Sequence, residues 1–397
     1  MRKTKSRVGS IAAAPVYLLA VAGLVSAAEG GDDVSMTVAR SYTIESKILG
    51  EERQVLMSLP RGYEDNQMRH PVLIVLDGSP FMIFHATASL IDRSIPEFVV
   101  AAVPNVDRLR DMSHKSIGEI WPTSGGANNF LSFLTDELVP WLDAEFRTTG
   151  YKVIVGGSAA GRFAAFALLK APTVFDAAIS RSPALGTDFE MFRGLVASAS
   201  AAKVAGEHFL YIVYGSHDYP VVTIYVERLL HLLEDESPPW LRYEREVLDN
   251  KGHFQFSSVN AGLSALFAEY RFPSERFLVE GPTAVAERSR VLSARFKTEV
   301  DSSALTSERE LVDSACDLGR QRRFADAIKV LRYALELHPD SARIVYYMAQ
   351  MLEHAGRTEE AIAAYNRVFD MEPSSGIAGM TRMLLDNLVE RVQPAAQ

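Results

Sequence analysis

The chain has almost no cysteine. Cys316 is the only one among 397 residues, so no disulfide can close within the chain and stability must come from a packed core. Nor do the nine histidines fall at the close spacings of a zinc site, which argues against a metal enzyme. Positive charge is also short: 41 Lys and Arg stand against 50 Asp and Glu, a formal charge of −9. That balance leaves no electrostatic footprint for nucleic acid or an anionic membrane. Long apolar runs are missing except near the start. There Arg2, Lys3, Lys5 and Arg7 precede an apolar stretch at 11–25, and Ser26-Ala27-Ala28 offers small residues for cleavage. The pattern predicts a secretory signal peptide over 1–28, too short in its apolar part to span a membrane. No cysteine follows it and no twin arginine precedes it, which points to general export without a lipid anchor. Its removal takes away four bases and no acids, moving the formal charge from −9 to −13. The expected location is periplasmic or secreted.

What the chain does have is hydrophobic content, 48%, enough for a large core and for two domains. Its most informative segment is Lys152-Val-Ile-Val-Gly-Gly-Ser-Ala-Ala-Gly161. Val153–Val155 is a short β-branched run, read as a buried strand. Two glycines and Ser158 follow, and then a stretch of helical spacing over 162–170. Strand, tight turn with a serine at its tip and helix form the context of a nucleophile elbow. The pattern runs Gly156-x-Ser158-x-Ala160, with alanine where glycine is usual and Gly161 just after. The plainer alternative is a serine in a glycine-rich turn, such as one that binds phosphate.

Strands are expected at 41–46 and 53–59, forming a hairpin about Gly50, and then at 71–76, 98–103, 153–155, 177–179, 209–213 and 242–247. Helical stretches at 128–146 and 222–234 lie among them. This alternation predicts an α/β fold, a mostly parallel sheet between helical layers, with sites beyond the carboxyl ends of the strands. Past residue 273 the character changes. The stretch 274–307 reads as a linker, and then Ala315, Ala327-Ile328 and Pro339 recur 34 residues later as Ala349, Ala361-Ile362 and Pro373. That period, with small residues where paired helices touch, resembles the tetratricopeptide repeat. The expected organisation is a signal peptide 1–28, a hydrolase-type domain 36–273, a linker 274–307 and an all-α repeat module 308–391. Two repeats are fewer than a free-standing solenoid needs, so the module should dock on the first domain or on another chain.

A serine hydroxyl needs a base before it can act as a nucleophile, and in α/β-hydrolases the order is Ser, acid, His. His253, in the loop Asp249-Asn-Lys-Gly-His253, is the expected base. Asp218, in Gly215-Ser-His-Asp218 after the 209–213 strand, is the expected acid, with Asp249 in reserve. The oxyanion donors would be the backbone N–H of Ala159 and one from Gly78 or Ser79, with Asp77 bracing that turn through backbone hydrogen bonds.

Further blocks carry a resemblance. Tyr42-Thr-Ile-Glu-Ser-Lys-Ile-Leu-Gly-Glu-Glu-Arg53, Leu59-Pro-Arg-Gly-Tyr63, Pro71-Val-Leu-Ile-Val-Leu-Asp-Gly78, Pro104-Asn-Val-Asp-Arg-Leu-Arg-Asp111, Pro122-Thr-Ser-Gly-Gly126 and Phe175-Asp-Ala-Ala-Ile-Ser180 resemble the Putative esterase family. It includes enterochelin and ferri-bacillibactin esterase-like α/β-hydrolases, often with tetratricopeptide repeats behind the hydrolase domain. The resemblance covers residues 36–273 and implies a serine hydrolase that cleaves carboxylic esters through an acyl-enzyme, with no cofactor. This chain departs from the family in three places. Gly157 stands where members usually have histidine, Gly252-His253-Phe254-Gln255 replaces His-Gly-Ser-Val, and many members carry glutamate near His217. The resulting expectation is an exported serine esterase acting on a small-molecule ester, of siderophore or acyl-sugar type, with a protein partner possible for the repeats. The rival is a catalytically weak hydrolase-like scaffold that binds partners through its repeats.

Overall fold

Continuous apolar strands are stable only where both faces of a sheet are covered, and that arrangement is found in a computed structural model of the protein. It describes residues 37–392 except 66, 91–94, 117, 254–256, 298–301, 373 and 374. The segment expected to be a signal peptide lies outside the described residues.

Eight strands form one sheet: β1 (Arg40–Ser46), β2 (Glu51–Ser58), β3 (His70–Val75), β4 (Val99–Ala102), β5 (Thr148–Gly157), β6 (Ala177–Arg181), β7 (His208–Gly215) and β8 (Leu241–Leu248). Their order is β1-β2-β4-β3-β5-β6-β7-β8. The β1–β2 hairpin joins the edge antiparallel, and β3 to β8 run parallel. Register aligns Gly157 with Arg181 and Arg181 with Val213, so the ends of β5, β6 and β7 lie side by side.

Side chains alternate between the two faces. One face presents Val75, Val155, Ile179 and Tyr211 to the helices Pro80–Ser89 and Ser258–Leu266. The other presents Ile74, Ile154, Ala178 and Ile212 to the helices Ala159–Lys170, Phe189–Ala201 and Pro220–Glu236.

Two expectations need correction. The helix expected at 128–146 is interrupted by a wide π turn, Phe133–Leu138, between helices Ala127–Ser132 and Val139–Glu145. Pro140 supplies the reason: it lacks an N–H and its ring crowds the carbonyl one turn back, so the preceding turn opens. The stretch 274–307 is also more than a linker. It forms helices Ser274–Glu280 and Thr283–Phe296, and the Phe296 ring packs on Phe267 at 4.5 Å and on Tyr151 at 5.2 Å. This segment roofs part of the first sheet face.

The repeats are helices Glu308–Arg320 with Phe324–Leu337 and Ala342–His354 with Thr358–Met371, followed by Gly376–Val392. Each pair opens on a serine cap. Ser307 Oγ accepts from Glu310 N and Ser341 Oγ accepts from Ile344 N, which satisfies one of the orphan N–H groups of the first turn. Ala315, Ala349, Ala327 and Ala361 are all buried where helices meet. The module rests on the helix Ser274–Glu280: Phe277 packs on Tyr333 at 4.7 Å, and Phe272 N donates to Glu310 Oε1 at 2.8 Å. One apolar cluster therefore runs from the sheet face into the repeats.

Candidate active site

At the end of β5 the chain turns sharply into the helix Ala159–Lys170. Ser158 sits at the tip with φ 60° and ψ −119°, a region costly for any residue with a Cβ. Its neighbours explain the small-residue pattern. A Cβ at Gly156 would overlap the Ala160 carbonyl, and one at Gly161 would come within 2.6 Å of Arg181 O. Glycine is required at 156 and 161, while the methyl of Ala160 is buried without difficulty. The turn is pinned on both sides. Ser158 N donates to Arg181 O at 2.9 Å, and Ser158 O accepts from Arg162 N and Ala184 N.

Asp218 and His253 come from the loops after β7 and β8, and they meet. His253 Nδ1 lies 2.7 Å from Asp218 Oδ1. The side chain of Asp218 is fully buried and that of His253 is 11% exposed. Asp218 accepts two further hydrogen bonds, from Tyr219 N at 2.7 Å and from Ser182 Oγ at 2.5 Å. Asp249, the reserve acid, instead accepts from Asn250 N and Asn250 Nδ2 in its own loop. His217 stays beside the acid, its N donating to Lys251 O and its Nδ1 3.3 Å from Ser216 Oγ. The loops can come this close because Gly215 has no side chain; a Cβ there would overlap the Lys251 carbonyl.

The expected oxyanion donors divide. Ala159 opens its helix, where backbone N–H groups have no partner within the helix. Gly78 N donates to Val103 O at 2.8 Å, so that N–H is already committed and Ser79 remains. Ser79 caps the helix Pro80–Ser89, its Oγ accepting from Met82 N at 3.1 Å. Asp77, with φ 54°, makes no side-chain bond to backbone among the described residues, contrary to expectation. Its carboxylate accepts from Arg108 Nε and Nη2, both at 2.7 Å, and from Asn105 Nδ2 at 2.8 Å. These bonds hold the Arg108 pKa above its ordinary value.

Four neighbours escaped the sequence reading. Ser182, with φ 41°, donates to Asp218 Oδ2, and the Tyr219 ring lies 5.0 Å from the His253 ring. Arg108 reaches Gly157 O at 3.3 Å. Arg181 is the one charged residue of strand β6, which it closes; it is 7% exposed and lies against Gly157. The available signal was position alone, since each follows or ends a strand at the sheet's carboxyl edge or sits in a motif block.

With this geometry in place, comparison with known proteins is informative. Residues 46–268, more than half of the chain, match the family model described as Putative esterase, and residues 312–375 match a tetratricopeptide repeat model. No curated protein matches the chain. Among solved structures, an IroE-like serine hydrolase from Shewanella oneidensis is 22% identical with a TM-score of 0.58, covering 75% of this chain and 99% of that one. An uncharacterised protein from Capnocytophaga ochracea is 15% identical with a TM-score of 0.57, covering 89% and 99%. The siderophore hydrolase EstB from Aspergillus nidulans is 16% identical with a TM-score of 0.52, covering 60% and 97%. At these identities the likeness shows the fold. The family match, covering β2 to β8 and every residue of the site, shows that the chain belongs to the Putative esterase family of hydrolases.

Proposed function

We propose that the protein is an exported serine esterase in which Ser158, His253 and Asp218 form the catalytic triad. The observation that carries this reading is the 2.7 Å contact between His253 Nδ1 and a fully buried Asp218 carboxylate, on loops that follow β7 and β8 at the same carboxyl edge of the parallel strands as the Ser158 turn. Asp218 holds the proton on Nδ1, so that Nε2 is the basic nitrogen. Ser158 Oγ attacks the ester carbonyl carbon while Nε2 takes its proton. The N–H groups of Ala159 and Ser79 receive the developing oxyanion. The alcohol departs with the proton from His253, and water then releases the acyl group by the same steps. Neither step calls for a metal or a redox cofactor.

Siderophore-type and acyl-sugar esters are the substrate classes to compare, the first because EstB, a structural neighbour, is a siderophore hydrolase. Export rests on the basic and apolar pattern of residues 1–28. The test is direct. A fluorophosphonate should label one serine of the purified protein, and Ser158→Ala should abolish both labelling and turnover of a p-nitrophenyl ester. Retention of most activity in that variant would remove Ser158 from the mechanism, and absence of labelling in the natural protein would favour a scaffold.

A further inference from the structure

Buried arginines normally find acceptors. Arg53 donates to Glu51 and Asp111, and Arg162 to the Met112 and Ala184 carbonyls. Arg53 and Arg162 leave only Nε without a partner, whereas Arg181, buried to a similar degree, has none at Nε or Nη1, and no ion pair involves it among the described residues. The carboxylate that acts on it electrostatically is Asp77, already occupied by Arg108 and Asn105. Arg108 thus holds the carboxylate and Arg181 has none of its own among the described residues, leaving a surplus positive charge in a chain that is acidic overall.

The location of this charge gives it meaning. Arg181 Nη2 would lie 3.5 Å from a Cβ at Gly157, the residue directly before Ser158. A longer side chain at 157 would occupy the space over the guanidinium, and the missing one leaves it open. The Arg181 backbone is rigid, since its O accepts from Ser158 N and closely covers Gly161. Burying an unpaired guanidinium is expensive, and arginine does not escape the cost by deprotonating. An anion from outside the chain would offset that cost.

We propose that Arg181 recognises a negatively charged group, such as a carboxylate, carried by the ester within a few bonds of the scissile carbonyl. This rests on the assignment of Ser158 as nucleophile. Arg181 is then a specificity residue, and the preferred substrates are anionic esters.

The experiment compares charged and capped esters in the full-length protein. One pair places the charge on the acyl side: 4-nitrophenyl hemisuccinate against 4-nitrophenyl methyl succinate. The other places it on the alcohol side: 4-acetoxybenzoate against its methyl ester. Arg181→Gln should lower kcat/KM for the charged member of at least one pair by roughly 10–100-fold, the scale of a lost charge-assisted hydrogen bond. The capped member should change by less than about 3-fold on the same scale. Arg181→Lys should fall between, because an ammonium keeps the charge and loses the planar fork. Equal losses for charged and capped esters, or no loss for either, would overturn the proposal. A readout in the unaltered protein guards against a misfolded variant. Monomethyl succinate should inhibit hydrolysis of 4-nitrophenyl acetate competitively at concentrations about ten-fold below those needed for dimethyl succinate, and equal potency would count against the proposal. Fluorophosphonate labelling run in parallel separates the two readings. If Ser158 is labelled while charge discrimination is absent, Arg181 fails and the nucleophile stands; if Ser158→Ala stays active, the underlying assignment fails.

Discussion

Asp218 carries the sharpest expectation of any single residue. Its Oδ1 faces the imidazole and Tyr219 N, and its Oδ2 faces Ser182 Oγ. Asp218→Asn keeps the shape but favours the wrong imidazole tautomer, so turnover should fall by about 10⁴. Ser182→Ala removes one of three hydrogen bonds to the carboxylate and should cost about ten-fold, near the value of a hydrogen bond to a charged group. Steady-state kinetics on one ester would check the order, and a mild Asp218→Asn phenotype would exclude that residue as the orienting acid. His70 makes a different prediction. Burial lowers its pKa below the usual 6.5, against the opposing hydrogen bond to the Glu97 carbonyl. The folded state then keeps His70 neutral while the unfolded chain binds a proton, so this contribution to stability is intact above about pH 6.5 and lost as pH falls below it. The melting temperature should decline from pH 7 toward pH 5, and His70→Asn should flatten that decline. An unchanged slope in the variant would assign the effect to other groups.

Among the elements, the turn from β5 into its helix and the helix Thr283–Phe296 are the most exposed to failure. Gly161→Ala would push a methyl to within 2.6 Å of Arg181 O, forcing β6 and the turn apart. Activity should fall at least ten-fold, with a loss of stability in the usual overpacking range of about 1–3 kcal/mol. Ala160→Gly, which restores the commoner motif, should leave activity near its starting level and cost only about 1 kcal/mol of helix propensity. Phe296 lies outside the residues matched by the esterase family model, yet it is fully buried against Tyr151 and Phe267. Phe296→Ala should destabilise the protein by about 3–5 kcal/mol, read by denaturant unfolding. A negligible change would mean that this helix is not part of the core.

For the whole molecule, that packing alters where the chain can be cut. Every catalytic candidate precedes residue 274, which in the sequence suggests a self-sufficient domain ending there. The first sheet face, however, is covered by Ser258–Leu266 together with Thr283–Phe296, and the same apolar cluster continues into the repeats. A protein ending at residue 273 should lose cooperative melting and bind a hydrophobic dye. One ending at residue 297 keeps the Phe296 contacts and should retain a cooperative transition, with the remaining cost coming from exposed Phe272 and Phe277. Circular dichroism melts of the two truncated proteins distinguish these outcomes, and a cooperative, soluble 37–273 fragment would refute the continuous core.

Inner strands such as β3, β4 and β7 were legible in the sequence because a strand buried on both faces is a continuous apolar run, and such runs are local; β1, β2 and β8 keep exposed positions and were read from shorter patterns between turns. The serine turn was legible for a related reason, since a Cβ at 156 collides with the Ala160 carbonyl of the turn itself, while the need for glycine at 161 comes from Arg181 on β6. The repeat was visible as a 34-residue period, which needs no knowledge of the rest of the chain. Strand order, the helix 283–296 and the environment of Asp77 and Arg181 were not legible. That helix buries only Ala284, Val285, Leu292 and Phe296, too sparse a pattern to separate from a linker. Whether Gly78 N or Ser79 N is available depended on where β4 lies, because Val103 O takes the first. Tertiary structure alone decided which polar groups ended with partners and which did not, because those partners come from strands far apart in the chain.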